Sequence, residues 1–171
     1  MTRQLILLTF ILTSLLASCG QTKTKTPNNE LHTVDTSVIA ILPFESVQNL
    51  GFIDGKPTDL TNDDLLKIET ILNKCIEDYN PEQERRFKEI NDKHPEYELD
   101  KKNFIIDLTR YKRQYVAVLN YKGEKEVWVN CFCSGSGGWL VSVLDGGNCY
   151  FNLKINLATE QYFDLMVNGD A

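Results

Sequence analysis

From residue 104 onward apolar side chains recur with a period near two, and the runs they form are joined by short turns. Connections that short cannot make a parallel crossover, which takes a dozen residues or more, so the runs must pair antiparallel. Cys149, Phe151, Leu153, Ile155 and Leu157 alternate with Tyr150, Asn152, Lys154 and Asn156, giving one apolar and one wet face. Residues 114–121 and 125–133 read as a hairpin around Lys122-Gly123-Glu124. Residues 139–145 and 149–157 read as a second, around Gly146-Gly147-Asn148, with residues 161–167 as the closing strand and 104–108 as a short edge strand.

The preceding segment has a different period. Thr61 is a helix cap, with Asn62, Asp63 and Asp64 supplying polar and negative groups to the first turn. Leu65, Ile68, Leu72, Cys75, Ile76 and Tyr79 follow at helical spacing, with Ile71 beside them. Asn80-Pro81-Glu82-Gln83 is a fresh start signal, so the helix is expected to bend or restart there. It continues through Phe87 and Ile90 until His94-Pro95 stops it. Upstream, the run from Val38 to Phe44 fits one strand or a segment laid across the sheet, and residues 45–57 hold turn signals. The expected fold class is α+β: a long helix, bent near Pro81, packed on a four- to five-stranded antiparallel meander within one domain, 37–171. That order of elements resembles the cystatin-like and nuclear-transport-factor-like arrangement, which implies a curved sheet wrapping a helix.

The first residues read as an address. Arg3 precedes an apolar run, residues 5–16, that is too short for a permanent membrane span. It ends in Leu16-Ala17-Ser18-Cys19, which resembles the bacterial lipoprotein signal. That resemblance implies cleavage after residue 18 and lipidation of Cys19, which would hold the chain on a membrane without a spanning helix. Residues 19–36 then read as the lipidated cysteine and a polar tether. No acidic residue follows Cys19 directly, so an outer-membrane, periplasm-facing position is expected. The tail from Asp145 to Ala171 is similar to that of small uncharacterised Gram-negative envelope lipoproteins, a likeness that implies no activity. With 18 basic against 24 acidic residues the formal net charge is −6, which offers no general attraction to nucleic acid or anionic lipid.

Four further cysteines lie in the domain. Cys75 falls on the apolar stripe of the helix, and Cys131 and Cys133 share a strand face with Val127 and Val129. A disulfide from Cys75 to Cys131 or Cys133 would staple helix to sheet. In the expected meander one strand separates Cys133 from Cys149, which puts them at opposite ends and beyond disulfide reach. The two histidines, His32 and His94, sit in the tether and at a helix end, so no metal site and no cofactor is expected. Ser134-Gly135-Ser136-Gly137-Gly138 is not the G-x-S-x-G of a nucleophile elbow, and no catalytic residue is assigned.

The aromatic residues give the one positive functional signal. If Val127, Val129 and Cys131 face the helix, then Trp128, Asn130 and Phe132 face away, and Trp139 or Tyr150 can join them. Such a surface is either covered, for instance by residues 38–44, or it recognises a partner beside the Ser134 to Gly138 loop, with Ser134 and Ser136 at its rim. The expected function is a non-enzymatic, lipid-anchored binding or adaptor module for an envelope protein or small ligand, with a homodimer through the open sheet face as one form of partner. An inhibitor or immunity-type lipoprotein that blocks an enzyme is a second expectation. A small-molecule or enzymatic pocket between helix and sheet is a third.

Overall fold

The computed structural model describes residues 34–135 and 139–169. The signal segment, Cys19 and nearly all of the tether lie outside them. In chain order the elements are β1 (Ile39–Ile41), β2 (Lys56–Pro57), α1 (Asn62–Lys93), β3 (Lys112–Leu119), β4 (Lys125–Phe132), β5 (Tyr150–Asn156) and β6 (Gln161–Val167), with short 3-10 turns between them. The fold is α+β, one long helix on a mixed sheet.

Thr61 starts α1 as its sequence requires. Its hydroxyl accepts from the Asp64 amide at 3.2 Å, and the Asp64 carboxylate accepts in return from the Thr61 amide at 2.8 Å. Such a cap stabilises a helix by about 1 kcal/mol. The same carboxylate lies 2.6 Å from Lys125 Nζ, tying the start of the helix to the start of β4. Burial opposes ionisation of Asp64, but Lys125 and the Thr61 amide and hydroxyl outweigh it and hold the carboxyl below its usual range.

The helix does not restart at Pro81. It runs unbroken from Asn62 to Lys93, because proline removes one amide without preventing the helix from continuing on either side. Asn80, expected as a cap, is used elsewhere: its side chain accepts from the Ile106 amide at 3.0 Å and donates to the Ile106 carbonyl at 2.9 Å. Residues 104–108 are accordingly not an edge strand. They form an irregular segment whose Ile106 and Leu108 are buried in the main core, while Phe104 stacks edge-on against Phe87 at 5.3 Å.

Strands β3 to β6 form an antiparallel meander that matches the expected one in part, with Val116 opposite Trp128 and Trp128 opposite Lys154. The sheet as a whole is mixed. β1 lies parallel to β3, with Ile39 opposite Arg113, and the helix is the crossover that parallel pairing needs. β2 pairs antiparallel with the other half of β3. Residues 139–145, expected as a strand, form none, so β4 and β5 are direct neighbours.

On the helix side, Ile68, Leu72 and Cys75 share a core with Tyr115, Val129, Cys131, Phe151 and Leu153. A bulge in β6 sets Asp164 and Leu165 against Leu153, with Asp164 in the left-handed region at φ 51°. It keeps Tyr162, Leu165 and Val167 all on the core side, although strict alternation would split them. A second cluster fills the other face over β3 and β4, where Val47, Ile53, Val116, Val118 and Trp128 are buried together. All the described residues fall within one compact unit, 32–171, and among them no helix is long and apolar enough to cross a membrane.

Candidate functional site

Buried amide side chains need hydrogen-bond partners, and two of them sit side by side on the outer face of the sheet. Gln114 on β3 faces Asn130 on β4, and they are 0% and 7% exposed. Their partners come from the backbone of residues 139–145, a strap laid across that face. Gln114 Nε2 donates to the Trp139 carbonyl at 2.6 Å, and Gln114 Oε1 accepts from the Val141 amide at 3.0 Å. Asn130 Nδ2 donates to the Val141 carbonyl at 2.8 Å and to Gln114 Oε1 at 3.1 Å. The two amides thus serve the strap as a strand edge would.

Asn168, just past β6, holds the far end by donating to the carbonyls of Val143 at 2.6 Å and Asp145 at 3.0 Å. The strap therefore runs from above β3 to beyond β6. Gly146 turns it back at φ 93°, and a Cβ there would lie 2.8 Å from the Tyr150 ring, so both conformation and space demand glycine. Leu140 packs inward on the second core cluster. Trp139 and Leu144 point outward, 85% and 99% exposed.

A disulfide closes the base of this segment. It joins Cys133 to Cys149, whose Cα atoms are 5.1 Å apart, and leaves Cys75 and Cys131 as buried thiols. The expected bond from Cys75 to Cys131 or Cys133 is absent for a topological reason. Without a strand at 139–145, β5 runs antiparallel beside β4, and Cys149 arrives next to Cys133, the residue just past the end of β4. The Cys133 amide donates to the Cys149 carbonyl at 3.0 Å, extending the ladder to the disulfide itself.

The expected recognition residues separate into two groups. Trp128 is 2% and Phe132 0% exposed, so neither belongs to an open surface. Phe52 stacks on Trp128 with ring centroids 4.7 Å apart, and the indole donates to Asn152 Oδ1 at 3.3 Å. The cover comes from Leu42, Phe44, Val47, Phe52, Ile53 and Leu140, only partly from the run 38–44. The face expected to support a homodimer is closed over β3 and β4 for the same reason. Trp139 remains exposed, Tyr150 is half-buried, and its hydroxyl shares a hydrogen bond of 2.6 Å with exposed Ser134. Ser136 lies outside the described residues. Sequence reasoning placed Asn130 on the outward face but gave no role to it, to Gln114 or to Asn168; the available signal was two amides inside otherwise apolar strands.

The space between helix and sheet is filled by the main core. A groove of about 1210 Å³ lies instead along the flank of α1, lined in part by Val34, Val38, Glu69, Asn73, Leu108 and Arg113. Its two central charges are already engaged. Arg113 Nε stands 3.2 Å from Glu69 Oε1, an ion pair without hydrogen-bond alignment, and the same oxygen accepts from the Tyr115 hydroxyl at 2.5 Å. Burial first, and the Glu69 carboxylate second, push the Tyr115 phenol well above its ordinary value. Among the described residues no three His, Cys, Asp or Glu side chains are grouped to hold a metal ion. No family model, curated protein or solved structure matches this chain.

Proposed function

We propose that the chain is a lipid-anchored, non-enzymatic binding module of the cell envelope that presents the 139–145 strap to another envelope component. The observation that carries this reading is the pinning of the segment that bears exposed Trp139 and Leu144 by two buried amides, Gln114 and Asn130, and by the half-buried Asn168 just past β6. A surface loop with no task has no need of two buried amides and a disulfide. Ordering the loop in advance removes an entropy cost that a partner would otherwise meet on binding. The signal read in residues 1–19 supplies the address: outer membrane, facing the periplasm, with residues 37–171 as the working domain. The β3 to β6 meander against α1 supports the cystatin-like or nuclear-transport-factor-like likeness as architecture only.

The test is a photoreactive phenylalanine analogue placed at position 139 of the full chain in its native envelope, with the same probe at Tyr121 as control. Tyr121 is 91% exposed and follows β3, at the opposite end of the sheet. An adduct at 139 and none at 121 supports the reading, and a single protein adduct would favour the inhibitor form of it. Equal labelling at both positions, or none at 139, overturns it.

A further inference from the structure

The strap shares one end of the sheet with the point where the chain comes in from its N-terminus. Ile39 lies opposite Arg113, Arg113 opposite Cys131, Cys131 opposite Phe151 and Phe151 opposite Val167. From that row residues 34–38 lead back toward the tether, and just beyond it lie Cys133 and Cys149. The strap crosses the neighbouring row at Gln114 and Asn130. Its sequence from 139 to 144, Trp-Leu-Val-Ser-Val-Leu, carries no charge. An exposed indole at one end and an exposed leucine toward the other of an apolar, prearranged stretch, with the first charge only at Asp145, have the chemistry of a membrane-interface anchor, where the ring lies at headgroup depth.

We propose that the occupant of this surface is the bilayer interface itself: Trp139 and Leu144 enter the headgroup region of a zwitterionic lipid surface as a second attachment beside the lipid on Cys19. This rests on the lipid-anchored reading above and names the component that the strap meets. Fifteen residue steps separate Cys19 from Val34, a span of at most about 54 Å. The path from an anchored Cys19 to the folded residues ends at the strap's own end of the sheet. The net charge of −6 argues for uncharged or zwitterionic headgroups over anionic ones. Two attachments would fix which face of the domain looks away from the membrane, something a single tether cannot do.

The chain contains two tryptophans, and only one of them can report on this surface. Trp128 is buried beneath Phe52, whereas Trp139 is exposed. Lipidated full-length protein is reconstituted in phosphatidylcholine vesicles, with and without bromine high on the acyl chains. The proposal expects Trp139 emission to shift to the blue, to be quenched by the brominated lipid, and to become several-fold less open to aqueous acrylamide. Trp139→Phe should abolish the lipid-dependent component and Leu144→Asp should reduce it several-fold; both side chains are exposed, so the fold is spared. Acrylamide access unchanged by vesicles that the protein still floats with would overturn the proposal and leave the lipid anchor standing. Flotation of wild type beside Cys19→Ser reads the anchor separately, and a wild type that fails to float overturns both.

Discussion

Cys75 and Cys131 are kept as thiols in the core, and burial changes their chemistry. It is the first cause, ahead of nearby Asp78, that pushes the Cys75 thiol up to about 12 from 9.0. Burial pushes Cys131 upward too. Tyr111 is likewise raised, from 10.0 to about 12, by burial above all. The unfolded chain would release these protons from about pH 9 upward while the folded chain keeps them. The native state then binds more protons, so the contribution of these groups to stability is level below about pH 9 and is lost as pH rises toward 12. Urea midpoints measured across that range should show the decline, and Cys75→Ala should make it shallower; an unchanged slope would contradict the account. Strand and helix periodicity placed Cys75 and Cys131 in the core correctly. Their oxidation state was not legible, because it depended on which strands would be neighbours.

The 139–145 segment shows why an element can be misread. Trp139, Leu140, Val141 and Val143 have the composition of a strand, and nothing local forbids one. Its backbone groups are instead met by the side chains of Gln114, Asn130 and Asn168, far away in sequence. Removing that one strand reverses the direction in which the next arrives, which is the whole of the error over Cys133 and Cys149. The disulfide closes a short loop, with a sequence separation of 16, for which the chain-entropy estimate is about 3 kcal/mol. Cys133→Ala with Cys149→Ala should lower unfolding stability by roughly that amount in urea titration. A loss below about 1 kcal/mol would mean that the side-chain pins alone order the segment. Elsewhere local signals sufficed: Thr61 and His94 bound the helix, the Lys122-Gly123-Glu124 turn joins β3 to β4, and β6 spans the residues expected of it.

At the scale of the whole molecule, the helix and the β3–β4 and β5–β6 hairpins were readable from periodicity, since each rests on contacts close in sequence, whereas the pairing of β4 with β5 was not. The parallel β1 was not, because pairing residues 39–41 with 113–115 across the helix is a long-range event with no local mark. A cover over Trp128 was one of two readings of that face, but Val47, Phe52, Ile53 and Leu140, which complete it beside Leu42 and Phe44, carried no local mark. What remains exposed and prearranged is the strap, at the end of the sheet where the chain comes in. Hydrogen–deuterium exchange on the full chain tests that arrangement directly. The account predicts that the Val141 amide, bonded to buried Gln114, exchanges as slowly as the amides of β3 and β4, and that Gln114→Ala speeds it many-fold while β5 and β6 keep their protection. Exchange of Val141 in the wild type at the rate of an open loop, with the sheet protected, would contradict it.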